Sequence, residues 1–222
     1  EINTRKGTER QTSVTSVPKT DSNIAAIRSN IKYVVTIGTS TGGPRALQEV
    51  IPLIPADIPA AIFVVQHMPE GFTKSLAERL DSMSKVRVKE AEDGETAKAG
   101  YVYIAPGGYH MEVRCNNKTL KIKLTKDPPI GGLRPSVDVM MESVANTGFK
   151  NIIAVIMTGM GGDGSKGIVK IKEKNNGYVI AQDEKTCVVY GMPRMAVKTG
   201  VVDTVVPLGE IANEIVKHMG VY

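Results

Sequence analysis

Three polar side chains with the chemistry of acyl transfer each come after a short apolar run. Ser40 follows residues 33–37, His67 follows residues 58–65, and Asp163 follows residues 152–157. A serine nucleophile, a histidine base and a carboxylate that orients the histidine are the parts of a hydrolase triad. Because the carboxyl ends of parallel strands meet at one edge of a sheet, we expect these three side chains to converge there.

The turn that carries Ser40 has the spacing of a nucleophile elbow. Gly38 and Gly42 stand two residues before and two residues after the serine. Pro44 suits the first turn of the helix that follows. Such a turn exposes the hydroxyl and presents backbone N–H groups to a developing oxyanion. The same stretch is equally compatible with an anion-binding loop in which Ser40 and Thr41 only cap the helix.

A dinucleotide site is the strongest alternative to the triad. Gly159, Gly161 and Gly164 match the G-x-G-x-x-G pattern, and Asp183 follows at a spacing suited to a ribose contact. Against this, Asp163 would place a negatively charged carboxylate inside the phosphate-binding loop. That charge disfavours the binding of an anionic pyrophosphate at the helix N-terminus. A non-catalytic partner-binding domain is a third possibility, and it explains none of the three convergent turns.

The alternation of apolar runs with helical spacing predicts the elements that position these residues. Strands alternating with helices are typical of a doubly wound, mostly parallel, three-layer α/β sheet. Residues 101–124 change to a period of two and predict an antiparallel ribbon attached to that sheet. His110 lies in this ribbon and is the rival to His67 as a base, although a surface or structural role is the simpler interpretation.

The composition of the 222 residues favours one α/β domain with a tail. Residues 1–30, rich in Thr, Ser, Lys and Arg, are expected to be a flexible linker from an upstream domain missing here, and residues 31–222 to be the catalytic domain. The net charge of +5 is spread along the chain and gives no argument for nucleic acid. Cys115 and Cys187 lack metal spacing, which favours free thiols and a cytoplasmic location. The apolar runs are too short to cross a bilayer.

Five motifs together resemble one known family. They are IGTSTGG around Ser40, VVQHMP around His67, IAPGGYHM, LRPSVDVMM, and IMTGMGGDGSKG around Asp163, and the resemblance runs from residue 33 to the end of the chain. The chain is similar to the catalytic domain of the chemotaxis-receptor methylesterase family, CheB. The resemblance implies Ser40 as nucleophile, His67 as base and Asp163 as its orienter, with Thr41 and Met160 near the oxyanion hole.

The same resemblance implies a substrate and a regulator. Members of the family hydrolyse γ-glutamyl methyl esters on the cytoplasmic helices of chemotaxis receptors, and many also deamidate glutamines there. No metal or other cofactor is expected, and neither nucleic acid nor direct membrane insertion is expected. In that family a response-regulator receiver domain precedes the linker and inhibits the catalytic domain until it is phosphorylated.

Overall fold

The structure is a computed structural model that describes residues 31–117 and 119–220, so the linker interpretation of residues 1–30 lies outside the described part. The described strands are β1 (Tyr33–Thr39), β2 (Ala60–Gln66), β3 (Arg87–Glu90), β4 (Tyr101–Ile104), β5 (His110–Asn116), β6 (Thr119–Thr125), β7 (Ile152–Ile156), β8 (Tyr178–Gln182) and β9 (Thr204–Val206). The α-helices are α1 (Gly43–Val50), α2 (Phe72–Met83), α3 (Val137–Ala145), α4 (Ser165–Asn175), α5 (Met192–Lys198) and α6 (Ile211–His218). Short 3₁₀ turns, Ile51–Leu53 and Leu208–Glu210, extend α1 and precede α6.

The main sheet has seven strands in the order β3-β4-β2-β1-β7-β8-β9. Every neighbouring pair in it is parallel. From β1 the chain first builds the half with β2, β3 and β4, and later returns to add β7, β8 and β9 on the other side. The switch point of the doubly wound sheet therefore lies between β1 and β7, which is where such sheets bind ligands.

Helices cover both faces of this sheet, because its central strands are apolar on both sides. Leu47 of α1, Leu80 of α2 and Ile211 of α6 pack in the core on one face. Met140 of α3 and Ile168 of α4 pack in the core on the other face. The predicted three-layer α/β architecture is confirmed, and among the described residues no helix is long and apolar enough to cross a membrane.

The antiparallel ribbon is present but shorter than predicted. Strands β5 and β6 pair from His110 with Thr125 to Asn116 with Thr119, and form a separate two-stranded sheet. Residues 101–104 instead form β4, which runs parallel to both β2 and β3. The sequence YVYI alternates in polarity, but Val102, Tyr103 and Ile104 are all buried. Burial on both faces, rather than a period of two, therefore explains why this strand lies in the main sheet and not in the ribbon.

Candidate active site

Ser40 and His67 leave the sheet side by side. Thr39 and Gln66, the last residues of β1 and β2, are paired in register, and the His67 N–H donates to the Thr39 carbonyl at 3.1 Å. Neighbouring strands lie about 4.8 Å apart, so the residues that follow a register pair are close neighbours. Asp163 lies in the loop after β7, which flanks β1 on its other side. The three predicted residues thus share the carboxyl edge at the switch point.

His67 and Asp163 are joined by a hydrogen bond. The distance from His67 Nε2 to Asp163 Oδ2 is 2.8 Å, and the two side chains are only 9% and 7% exposed. An ionised carboxylate can only accept, so Nε2 carries the proton and Nδ1 is the nitrogen with a free lone pair. Within the described part of the chain, neither Nδ1 nor the Ser40 hydroxyl has a hydrogen-bond partner. The structure therefore joins two of the three residues, and Ser40 is adjacent but not hydrogen-bonded.

The carboxylate of Asp163 sits at the N-terminus of α3. It accepts the Ser136 hydroxyl at 2.8 Å, the Val137 N–H at 2.6 Å and the Asp138 N–H at 3.0 Å. The first N–H groups of a helix have no partner within the helix and favour an anion. Burial opposes ionisation of Asp163, but the hydrogen bonds from His67 and from α3 outweigh it, so the pKa of Asp163 lies below its ordinary value. The group is ionised at neutral pH.

The Ser40 turn is tied to the loop that carries Asp163. Gly42 has a φ of +83°, a left-handed conformation that glycine adopts without strain, and it precedes α1. The Ser40 N–H donates to the Thr158 carbonyl at 3.0 Å, and the Thr158 hydroxyl donates to the Thr41 carbonyl at 2.9 Å. A Cβ on Gly159 would lie 2.8 Å from Ser40 Cβ. The turn after β7 therefore packs directly against the serine.

Two backbone N–H groups beside Ser40 have no acceptor in the part of the chain that the structure describes. Neither the Thr41 N–H nor the Met160 N–H donates to an acceptor among the described residues. Both residues are exposed, and the Met160 side chain is 70% exposed. Met160 follows Gly159, whose close approach to Ser40 brings this loop to the serine. Free N–H groups in this position are suited to receive an oxyanion.

Gln66 is a site residue that the sequence reasoning missed. Its side chain is buried, and Nε2 donates to the carbonyls of both Ser40 and His67 at 3.0 Å. It therefore braces the two turns against each other. The sequence contained one indication of this role, because Gln66 is a polar residue at the end of an apolar strand and lies next to His67. Ser136 was missed in the same way, although a serine before the apolar positions of a helix is an ordinary N-cap pattern.

His110, the rival base, is buried and fully engaged. The residue is 1% exposed, Nε2 contacts the Pro128 carbonyl at 3.2 Å, and Nδ1 accepts a hydrogen bond from the Ser136 N–H at 3.3 Å. Because a carbonyl can only accept, Nε2 carries the proton, and no ring nitrogen remains for a substrate. The structure supports the structural interpretation of His110 and assigns it no contact with Ser40.

The dinucleotide alternative does not fit the structure. The N–H groups of Gly164 and Gly167, at the N-terminus of α4, both donate to Asp138 Oδ1, at 2.9 and 2.8 Å. A carboxylate of the chain itself therefore fills the position where a pyrophosphate would bind. The glycines serve close packing instead, since a Cβ on Gly164 would lie 2.8 Å from a methyl group of Val137.

Two clefts differ in their relation to these residues. One of about 280 Å³ opens beside His67 and is lined by Met68, Leu133 and Arg134. A larger one of about 530 Å³ is lined by Leu53, Ala212 and other residues of the α6 region. The lining of the larger cleft includes neither Ser40, His67 nor Asp163, whereas His67 itself lines the smaller cleft.

Comparison with known proteins gives consistent matches. A family model described as CheB methylesterase matches residues 35–215. A protein-glutamate methylesterase/protein-glutamine glutaminase 1 from Syntrophomonas wolfei is 54% identical over 193 residues, which are 85% of this chain and 54% of that protein. A protein-glutamate methylesterase/protein-glutamine glutaminase from Archaeoglobus fulgidus is 52% identical over 187 residues, 84% of this chain and 53% of that protein. The chain spans about half the length of these curated relatives.

A solved structure agrees with these matches. The crystal structure of the Thermotoga maritima CheB methylesterase catalytic domain aligns with a TM-score of 0.80 at 50% identity, and the alignment covers 83% of this chain and 97% of that one. The fold, the length of the family match and the identities lead to one conclusion. The chain belongs to the CheB methylesterase family.

Proposed function

We propose that this chain is a cytoplasmic serine hydrolase that removes methyl esters from glutamate side chains on chemotaxis-receptor helices, and that it also deamidates glutamines there. The names of its relatives and the match to a methylesterase catalytic domain support the reaction class. One observation carries the assignment to this edge of the sheet. An ionised, buried Asp163 is hydrogen-bonded to His67 Nε2, and His67 leaves the sheet beside Ser40.

The first half of the reaction forms an acyl-enzyme. The Ser40 hydroxyl turns toward His67 Nδ1, which takes its proton while Oγ attacks the γ-carbonyl carbon of the substrate. The carbonyl oxygen becomes an oxyanion and accepts hydrogen bonds from the backbone N–H groups of Thr41 and Met160. The imidazolium that forms is stabilised by Asp163. His67 then gives the proton to the methoxy oxygen, the C–O bond breaks and methanol leaves.

The second half restores the enzyme. His67 removes a proton from water as the water oxygen attacks the acyl carbon, and a second oxyanion forms at the same N–H groups. When it collapses, Ser40 Oγ leaves with the proton from His67, and glutamate is the product. With a glutamine substrate, ammonia leaves in place of methanol and the later steps are the same.

In this mechanism the two ring nitrogens exchange the roles they have in the serine-protease triad. There the carboxylate binds Nδ1 and the serine faces Nε2. Here Asp163 engages Nε2, which leaves Nδ1 for Ser40. The chemistry requires that one ring nitrogen faces the nucleophile and the other faces the carboxylate. Either orientation of the imidazole ring satisfies this requirement.

Methanol release from a methylated receptor tests the proposal. We expect release by the intact chain and by the control Ser82→Ala; among the described residues, the Ser82 hydroxyl donates only to the Arg79 carbonyl in α2. Ser40→Ala should lose about four orders of magnitude or more, as expected when a triad nucleophile is removed. A serine-directed phosphonate should label Ser40 alone. Methanol release by Ser40→Ala at the rate of the control would refute the role of Ser40.

The proposal extends to regulation by an upstream receiver domain, as the family resemblance implies. Attached through residues 1–30, such a domain would meet the Ser40 edge at high effective concentration and shield it from receptor helices. Phosphorylation would weaken that docking and shift the population toward the open form. The test compares turnover by this chain with turnover by the unphosphorylated full-length protein at equal concentration. Equal rates would exclude masking as the mechanism of regulation.

A further inference from the structure

At the starts of helices α3 and α4, the backbone N–H groups of each helix donate hydrogen bonds to a carboxylate that lies at the start of the other. We call this arrangement the carboxylate exchange. Asp163, just before α4, accepts the Val137 and Asp138 N–H groups at the start of α3. In return Asp138, in the first turn of α3, accepts the Gly164 and Gly167 N–H groups at the start of α4. The N-cap of α4 is Gly164, which has no side chain to cap it, so Asp138 supplies the missing acceptor.

The exchange depends on a close approach of the two helices. A Cβ on Gly167 would lie 2.5 Å from Met141 Cβ and 3.4 Å from Asp138 Cα. Because Gly167 contributes no side chain at this contact, the start of α4 lies close against α3, and the Asp138 carboxylate reaches both N–H groups. Ser136 adds a direct link, because its hydroxyl donates to Asp163 Oδ1 at 2.8 Å while capping α3.

Asp163 depends on this arrangement for its position. Among the described residues no Lys or Arg forms an ion pair with it, and His67 is its single charged partner when protonated. Within residues 31–117 and 119–220 Asp163 has four hydrogen-bond donors, and three of them belong to residues 136–138. The orientation of the carboxylate toward His67 is therefore set by the start of α3.

We infer that Asp138 and Ser136 are positioning residues of the site: by locking the starts of α3 and α4 together, they hold Asp163 in the orientation that engages His67. The inference rests on the proposed function, in which Asp163 orients the histidine base. Neither residue has a hydrogen bond to Ser40 or His67 in the described structure, so each acts through Asp163.

Replacement of Asp138 should affect the chemical step more than substrate binding. Asp138→Ala leaves the Gly164 and Gly167 N–H groups without their acceptor and frees the loop that carries Asp163. A misplacement of about 1 Å in a catalytic group costs roughly 10²-fold, so we expect kcat to fall about 10- to 100-fold. KM should stay within about threefold, because the Asp138 carboxylate is engaged by the Gly164 and Gly167 N–H groups and acts on the chemistry through Asp163. Asp138→Asn keeps an oxygen acceptor and should retain kcat within about threefold.

A matched control lies on the same helix. The Ser143 hydroxyl accepts the Val113 N–H at 2.8 Å and donates to the Met140 carbonyl at 2.7 Å, without contact to Asp163. Ser143→Ala therefore removes partly buried hydrogen bonds of α3 and leaves the contacts of Asp138 and Asp163 intact. We expect its kcat to stay within about twofold of the parent at 25 °C. If Asp138→Ala does not fold, Ser136→Ala takes its place, with an expected loss of about tenfold in kcat.

A spectroscopic measurement tests the inference independently of catalysis. The hydrogen-bonded ring N–H of His67 should give a downfield proton resonance, assigned by its absence in His67→Gln. It should shift or broaden in Asp138→Ala and Ser136→Ala, and remain in Asp138→Asn and Ser143→Ala. An unchanged resonance in a folded Asp138→Ala or Ser136→Ala, or a kcat equal to that of Ser143→Ala, would overturn the inference. If the parent chain shows no esterase activity, the proposed function fails, while the resonance still decides the positioning role.

Discussion

A single methyl group added at Gly159 should displace the serine. The Cβ of Gly159→Ala would lie 2.8 Å from Ser40 Cβ, about 0.6 Å short of the 3.4 Å at which ordinary contacts begin. It would also clash with the sulfur of Met192, a buried side chain. Gly159 does not have a positive φ, so the effect of the substitution is steric and not backbone strain.

The surrounding hydrogen bonds prevent the loop from absorbing this shift. The Gly159 N–H donates to the Val189 carbonyl at 3.0 Å, and the Gly159 carbonyl accepts the Met192 N–H at 2.8 Å. The Met192 side chain is fully buried and has no free space to retreat into, whereas the Ser40 side chain has no hydrogen bond among the described residues, so Ser40 is expected to move by roughly half an ångström. Taking about 10²-fold per ångström, kcat should fall roughly 10- to 30-fold. Overpacking should also lower the free energy of unfolding by about 1–3 kcal/mol.

The assay is kcat for methanol release at saturating methylated receptor, with the free energy of unfolding measured by urea denaturation. The control is Gly209→Ala, where a Cβ would meet no atom within 4 Å and where φ is not positive. The control should change kcat by less than about twofold. A folded Gly159→Ala variant with the kcat of the control would contradict the prediction that the added methyl group moves Ser40 out of its productive position.

Three further outcomes are expected. Ser40→Ala and His67→Ala should each reduce turnover by roughly four to six orders of magnitude, and the double variant should lose little more. Asp163→Asn should cause a smaller loss. If the losses of the two single variants add in the double variant, another group attacks the ester. His110→Ala should lower the free energy of unfolding by about 1–3 kcal/mol, because the buried Ser136 N–H loses its acceptor. Turnover should stay within about tenfold of the parent. A much larger loss of turnover would indicate that His110, and not His67, is the base. Asp138→Asn should raise Tm at neutral pH, because burial and the nearby Asp163 charge raise the pKa of Asp138 and its ionised form is disfavoured in the folded state. This gain should disappear as the pH falls below the ordinary pKa of an aspartate, about 3.9, where Asp138 is protonated in both states; calorimetry at both pH values checks it.

Much of the edge that carries these residues could be predicted from local sequence patterns. The apolar runs before Ser40, His67 and Asp163 indicated strands, and glycines marked the turns that carry Ser40 and Asp163. Convergence of the three residues then followed from the parallel order of the strands. Residues 101–104 were the exception, because alternation along the chain does not reveal that a strand is buried on both faces.

The supporting contacts could not be predicted, because they join residues that are distant in sequence. Asp138 reaches Gly164 across 26 positions, and Gln66 reaches Ser40 across the same separation. Such a pairing depends on how two helices or two turns pack, and no periodicity encodes it. The choice of His67 Nε2 as the partner of Asp163 also arises only from packing, because both ring nitrogens are chemically competent.

The way in which Asp163 is held bears on catalysis as well as on geometry. Its other partners, the Ser136 hydroxyl and the N–H groups of α3, are neutral dipoles rather than a cation. These dipoles keep the carboxylate ionised without cancelling its charge. In the proposed mechanism a positive charge develops at His67 as the imidazole takes the serine proton, so the attraction to Asp163 would be strongest in the transition state. Only interactions that strengthen there accelerate the chemical step. A lysine or arginine paired with Asp163 would stabilise the ground state instead and reduce this difference.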